Sequence, residues 1–441
     1  METVKSPRSL ARGVAVGEWS ITALREHALS PLFRNAGYLW ASDIVIGAVG
    51  FAFWAVTARF YAADAVGYGA SAIAAITLIA AFSTLGLGFG LIRFLPGRES
   101  SANLINSVLL LVAGVSMFAS LVFILGVDLW SPGLRIVRQN QAYAGAFLVG
   151  AVAFSLARIL DQVFVATRTA GFVLVRNLGA SLSRLLLVVV FASFFASFGI
   201  VAAFGFATAV WVGISVIFLL PMASDGYRPA VQWRPTEILS IFTFSLGNNA
   251  GALLLLAPGY LFTIMVLNTE GPESAAYFYI AWAISGIACG LAMPLSLSLF
   301  AEGSQAPDHL RRIAPKAFGV GLLAALAPAL ALLVMAEPVL NLFGSDYASH
   351  GAGLLRILAI AGLPFFVVNM YMAVARVQKR VASIVLVAGA MAVTSLLAGY
   401  LLGRSMGLEG FGIGWLAGQG AGLVVIGVLV RDSRLNKLAK E

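Results

Sequence analysis

Long apolar stretches alternate with short polar connections from one end of the chain to the other. A hydrocarbon core ~30 Å thick needs ~20 mostly apolar helical residues per crossing. Six stretches meet that need in the first half, at 37–57, 72–95, 104–127, 142–166, 172–194 and 199–220. Six more follow at 238–267, 275–300, 317–336, 353–374, 381–402 and 410–430. The pattern predicts an all-α integral membrane protein of about twelve transmembrane helices. The longest polar connection, 221–237, carries the turn and linker residues Asp225, Gly226, Pro229 and Pro235. It divides the chain into an N-terminal segment 1–36, a six-helix lobe 37–220, the linker 221–237, a second six-helix lobe 238–430 and a tail 431–441. Span two closes on Phe94, Leu95, Pro96 and Gly97, and span eight closes on the similar Phe300, Ala301, Glu302 and Gly303. Internal repeats of this kind occur in transporters, whose substrate sites lie between the repeats.

Composition agrees with lipid rather than water as the solvent. Of 441 residues, 60% are hydrophobic and 11% charged, and mean hydropathy is +0.95, values that exclude a soluble multidomain protein. The formal charge of +9 does not indicate nucleic acid, because the basic residues form short clusters between apolar stretches rather than a stripe interleaved with aromatics. Their placement sets topology instead, since positively charged loops stay in the cytoplasm. With both termini cytoplasmic, 21 of the 28 Lys and Arg fall on that side. Five, Arg59, Arg135, Arg138, Arg356 and Arg404, fall on the other. No apolar run of ~7 to 15 residues precedes the first span, so no secretory signal is read there.

Several chemistries are excluded. One cysteine, Cys289, permits no disulfide within the chain and no cysteine metal cluster. The three histidines, His27, His309 and His350, lie in separate connections without ligand spacing. No cofactor or metal is expected, and no P-loop sequence GxxxxGK[ST] is present. Outer connections shorter than ~20 residues leave no room for the acid-bearing loops of a sugar transferase, so an enzyme is not expected.

Glycines recur in clusters, Gly86, Gly88 and Gly90 in span two and Gly410, Gly412, Gly414 and Gly418 in span twelve. They allow close helix packing or serve as hinges. Pro258, Pro294, Pro328 and Pro364 all lie in the second lobe, as bending points or as prolines that neighbouring helices accommodate.

An ionisable side chain within a span costs ~2.5 to 3.5 kcal/mol on insertion scales and marks a functional candidate. These charges concentrate in the first lobe. Arg158 and Asp161 in span four are three residues apart and share a helical face. Asp161 and Arg176, in span five, each lie ~8 Å deep at ~1.5 Å per residue, which permits a salt bridge. Arg184 lies ~19 Å in, near the midplane, without a sequence-local acid. It pairs with a distant acid or with backbone carbonyls, or else it helps form an anion site. Guanidinium groups at that depth would hold a phosphate through bidentate, charge-assisted bonds, and Arg158 with Arg184 suits a diphosphate. Asp43, the only acid in span one, either neutralises one of these arginines or carries a proton. Asn248, Asn249 and Gln419 in the second lobe bond sugar hydroxyls or bridge helices.

Three segments carry a family resemblance. They are VGYGASAIAAITLIAAFSTLGLGFGLIRFLP at 66–96, VLNLFGSDYASHGAGLLRILAIAGLP at 339–364 and GLEGFGIGWLAGQ at 407–419. Together they resemble the polysaccharide, or oligosaccharide-lipid, flippase branch of the MOP superfamily, which also holds MATE multidrug exporters and lipid II flippases. The resemblance implies a MATE-like fold of two six-helix lobes around a central cavity in the cell membrane. It implies alternating-access transfer of a polyprenyl-diphosphate-linked oligosaccharide, a polysaccharide precursor, to the outer leaflet. Expected partners are that lipid-linked glycan, membrane lipids and polysaccharide assembly enzymes, with no nucleic acid. By position, the family's cationic cavity corresponds to Arg158, Arg176 and Arg184. Asp43 stands where MATE exporters often keep an acid, which keeps cation-coupled drug export open. A non-transporting scaffold of a polysaccharide assembly complex is the alternative from another class.

Overall fold

The computed structural model describes residues 31–96, 101–224, 226–290, 310–378 and 380–438, together with 292, 293, 295, 296, 298 and 299. In chain order the helices are α1 (Pro31–Phe60), α2 (Ala63–Ser83), α3 (Leu87–Phe94), α4 (Ser101–Leu125), α5 (Gln141–Ala166) and α6 (Gly171–Ala192). They continue with α7 (Ser197–Ile214, prolonged by a π turn over Ser215–Leu219), α8 (Pro235–Glu270) and α9 (Pro272–Gly290). The last four are α10 (Leu310–Asn341), α11 (Ser345–Val377), α12 (Val381–Met406) and α13 (Leu408–Leu438).

Local chemistry starts several of these elements. The Asn140 side-chain oxygen accepts from the N–H groups of Ala142 at 2.9 Å and Tyr143 at 3.2 Å, satisfying donors that the first turn of α5 leaves open. Pro235 opens α8 at a position where its missing N–H has no helical partner to lose. Pro258 inside α8, Pro315, Pro328 and Pro338 inside α10, and Pro364 inside α11 are carried through without ending their helices. Pro294 lies outside the described residues.

Among the described residues, ten helices are long and apolar enough to cross a membrane: α2, α4 to α7, the Leu253–Glu270 part of α8, and α10 to α13. Of the two remaining expected spans, the first falls in α1, whose apolar part, Ile44–Phe60, is shorter, and the eighth begins in α9. The ten differ in where they sit. In α2 the apolar window is 83% buried, whereas in the other nine it is 22% to 50% buried. An Ala-, Gly- and Ser-rich sequence gives α2 the slim surface that lets it occupy the centre.

One expected element is corrected. The stretch 72–95 is not a continuous helix: α2 ends at Ser83, the chain turns through 84–86, and α3 is a separate short helix. Leu85 and Gly86 take φ of 49° and 70°, left-handed values that interrupt a right-handed helix. At Gly86 a Cβ would lie 2.2 Å from the Ser245 carbonyl oxygen, so only glycine lets the turn approach α8 this closely.

Packing joins both chain neighbours and more distant helices within each half. α1 lies on α6, α5 on α4 and α7, α10 on α11, and α12 on α13 and α8. α2 joins the halves, packing on α5 and α7 on one side and on α8 and α9 on the other. The second half is closed by rings: Phe262 meets Phe278, Trp282, Phe411 and Trp415 at centroid distances of 5.9 to 6.4 Å. The main cavity lies where α1, α2, α5 and α6 of the first half face α8 and α9 of the second.

Candidate substrate cavity

A cavity of about 460 Å³ is bounded by α1, α2, α5, α6, α8 and α9. Arg158, Asp161, Arg176 and Arg184 all line it. Helical spacing explains the convergence: Arg158 and Asp161 lie about one turn apart on α5, and Arg176 and Arg184 about two turns apart on α6.

The four side chains are not equivalent. Arg176 is 4% exposed and Asp161 27%. The Arg176 Nη2 lies 2.6 Å from both Asp161 carboxylate oxygens and donates at 2.7 Å to Asn177 Oδ1. Asn177 Nδ2 in turn donates to Ser42 Oγ at 2.7 Å, so one polar chain ties α5, α6 and α1 together. Arg184 has no such carboxylate. Its Nη2 donates to Thr208 Oγ1 at 2.9 Å, its Cζ stands 4.3 Å from the Phe204 ring centroid, and its buried Nε has no partner among the described residues. An aromatic face and a hydroxyl hold the guanidinium without cancelling its charge. Arg158 makes no hydrogen bond or ion pair with any described residue. The wall therefore carries three guanidiniums and one described carboxylate, and that carboxylate is already engaged.

The opposite wall is aromatic. Trp54 of α1 meets Tyr279 of α9 with ring centroids 4.5 Å apart, and Phe51 of α1 meets Phe343, just after α10, at 5.1 Å. Tyr260 of α8 also faces the space. Sequence reasoning from charge missed these rings, as it missed Asn177, Ser42 and Thr208. For Asn177 the signal was present, a polar residue next to Arg176 within an apolar span.

Other expected site residues are placed differently. Gln419 is fully buried in α13 and lines neither this cavity nor the smaller one beside it. Its amide oxygen and nitrogen have no partner among the described residues. Neither of these two spaces brings Gln419 to a ligand. Asn249 lines the smaller pocket and not the main cavity. The side chains of Asp43 and Asn248 lie outside the described residues. Among the described residues no group of three or more His, Cys, Asp or Glu is placed to hold a metal ion.

Toward the end of the molecule where α1 meets α2, hydrogen bonds tie α1 to the end of α10. Arg59, in the last turn of α1, donates through Nε to the Leu342 carbonyl and through Nη2 to the Asn341 carbonyl, both at 3.0 Å. These are carbonyls at the C-terminal end of α10, which a helix leaves unsatisfied. The Gly133 N–H donates to Asn268 Oδ1 at 2.8 Å across the same seam.

No family model matches this sequence. No curated protein matches it either. Solved structures do match in fold. An inward-facing multidrug resistance MATE family transporter of the MOP superfamily superposes with TM-score 0.64 at 15% identity, covering 87% of this chain and 96% of that one. The lipid II flippase MurJ in an inward closed conformation gives 0.69 at 10% identity, covering 89% and 87%. An outward-facing MATE family transporter of the MOP superfamily gives 0.57 at 15% identity, covering 90% and 97%. This chain has the fold shared by these proteins.

Proposed function

We propose that this chain is a flippase that carries a polyprenyl-diphosphate-linked oligosaccharide from the inner to the outer leaflet of the cell membrane by alternating access. The reading places twelve spans in two six-helix lobes, 37–220 and 238–430, with the 221–237 linker and both termini in the cytoplasm. The observation that carries it is the charge of the cavity. Three arginines line it, and the one described carboxylate there is bonded to Arg176 at 2.6 Å.

Two positive charges left over in a partly dehydrated space call for an anionic ligand, and a diphosphate meets Arg158 and Arg184 with oxygens to spare. The Trp54, Tyr279 and Tyr260 rings offer flat apolar faces for sugar rings. The prenyl chain stays in lipid while the head group crosses. Closure at the Arg59 end supports a resting state that loads from the cytoplasmic side.

A cation-coupled drug exporter of the MATE type is the second reading, favoured by the shared fold and by those same rings. It expects a cavity whose charge attracts cations, and arginines repel them. A scaffold needs no cavity at all, and one of about 460 Å³ is present.

The test is deletion of the gene followed by analysis of surface glycan and of lipid-linked precursors. Loss of glycan with accumulated precursor, restored by the wild-type chain and not by Arg184→Ala, is the expected result. Full rescue by Arg184→Ala would overturn the head-group role.

A further inference from the structure

A second, smaller pocket of about 90 Å³ lies beside the main cavity, between the turn after α2, the inner half of α5, and α8. Its polar lining is Thr84, Arg158, Gln162 and Asn249, and no Asp or Glu borders it among the described residues. Arg158 lines both spaces.

Three observations converge on a ligand. Arg158 makes no hydrogen bond or ion pair with any described residue, and the acid nearest to it along α5, Asp161, is held by Arg176. Asn249 is 8% exposed and makes no hydrogen bond with any described residue, yet its side chain borders the pocket. Gln162, half-buried, borders it as well and makes no hydrogen bond with any described residue. A guanidinium and two carboxamides at a pocket without a carboxylate present N–H donors and a positive charge to whatever enters. Buried polar groups are ordinarily satisfied, and the buried Asn249, open toward the same space as the half-buried Arg158 and Gln162, marks a place for a partner.

The turn after α2 gives the pocket its shape. At Gly88 a Cβ would lie 2.6 Å from the Gln162 Cγ, so this glycine lets the Gln162 stem lie flat against the broken helix. The left-handed Gly86 brings the turn against Asn249, whose Cβ would be 2.8 Å from a Cβ there. Had α2 continued straight, the space would not be bounded on this side.

We propose that this side pocket binds a small oxyanion, a phosphoryl or carboxylate group, held by Arg158, Gln162 and Asn249. Its volume is far below the ~300 Å³ at which pockets begin to enclose whole small molecules, so the ligand is one such group. Arg158 and Gln162 come from α5 in the first half and Asn249 from α8 in the second, so an occupied pocket bridges the seam between α5 and α8. An anion there favours the arrangement in which the halves meet at this seam, and it leaves when they part. The site does not depend on the substrate reading of the main cavity, although it shares Arg158 with it.

The test is equilibrium binding of radiolabelled inorganic phosphate to the purified full-length protein in detergent, compared with Gln162→Leu, Asn249→Leu and Arg184→Leu. Two equivalents per chain are expected, one lost in both Gln162→Leu and Asn249→Leu and the other in Arg184→Leu. Gln162→Leu repeats the test without touching the close contact beneath Gly86, should Asn249→Leu fail to fold. A single equivalent abolished by Arg184→Leu and untouched by the other two would overturn the side pocket and leave the main cavity standing. A single equivalent abolished by Gln162→Leu and untouched by Arg184→Leu would support the side pocket and overturn the main-cavity reading. Repeating the measurement with acetate and with phosphatidic acid in mixed micelles separates a free anion from a lipid head group. Competition by acetate assigns the site to small free oxyanions, and competition only by the lipid would overturn a site for a free group.

Discussion

Both carboxylate oxygens of Asp161 lie 2.6 Å from one nitrogen of Arg176, and that pair decides which charges in the cavity remain for a ligand. Removing one partner strands the other in a dry environment, at a cost of ~3 to 5 kcal/mol. Asp161→Leu is expected to lower the midpoint of thermal unfolding in detergent more than the double change Asp161→Leu with Arg176→Leu. Arg176→Leu alone should cost less than Asp161→Leu, because Asp161 is the more exposed partner. Strictly additive losses in this cycle would mean the two side chains are not coupled.

Arg184 differs from Arg176 in having a hydroxyl and a ring as neighbours instead of an acid. A planar fork can bond Thr208, lie on Phe204 and still offer donors to a phosphate, whereas an ammonium group cannot do all three. Arg184→Lys keeps the charge and is expected to weaken pyrophosphate binding about tenfold, ~1.4 kcal/mol. Titration calorimetry on the purified protein checks it. Equal affinity for the two side chains would reduce the role of Arg184 to bulk charge.

The convergence of these arginines was legible in the sequence for a simple reason. Charges in lipid are costly enough to be rare, and the rise of a helix fixes their depth, so charged positions on adjacent antiparallel spans can be compared directly. The Arg176 to Asp161 bond follows from that comparison. What hydropathy could not show is backbone handedness. The left-handed turn at Leu85 and Gly86 lies inside an unbroken apolar run, and only its glycines hinted at it. Nor could sequence rank the second-half polar residues. Asn249 reaches a pocket and Gln419 does not, and packing across helices leaves no local trace. The contact of Arg59 with Leu342 spans 283 positions and has no sequence signature.

The linker is pinned to α4 by a polar relay that should respond to alkali. Tyr227 donates to Asn106 Oδ1 at 2.9 Å, and Asn106 Nδ2 donates to the Arg228 carbonyl at 2.9 Å. Burial pushes the Tyr227 hydroxyl up to about 12, above the ~10 of an exposed tyrosine. The folded state thus keeps its proton where the unfolded chain releases it. The contribution is fully present below pH ~10 and falls as pH rises from there through about 12. Tyr227→Phe is expected to cost ~1 kcal/mol at neutral pH and to flatten the loss of stability in that alkaline window. Denaturant unfolding at a series of pH values reads both effects, and an unchanged alkaline slope in the variant would assign the sensitivity elsewhere.

Arg59 is where closure of the cavity can be tested most directly. Its guanidinium bonds two carbonyls at the end of α10, both at 3.0 Å, and no acid takes part, so its contribution comes from charge-assisted bonds to a helix terminus. Such bonds contribute ~1.5 to 3 kcal/mol each when well sheltered, and this side chain is exposed, so the pair together is expected to contribute ~1 to 2 kcal/mol. Arg59→Gln removes that bias from one side of the two-state equilibrium and should shift populations toward opening at this end by about 5- to 30-fold. A cysteine introduced at Phe53, with Cys289→Ser as background, reports the shift as faster labelling by a membrane-impermeant maleimide. Because Phe53 lines the cavity, a label supplied only from the Arg59 side of the membrane, to intact cells, reaches it when that end parts. Unchanged labelling in Arg59→Gln would mean that the aromatic contacts of Phe51 with Phe343 and Trp54 with Tyr279 hold that end shut alone.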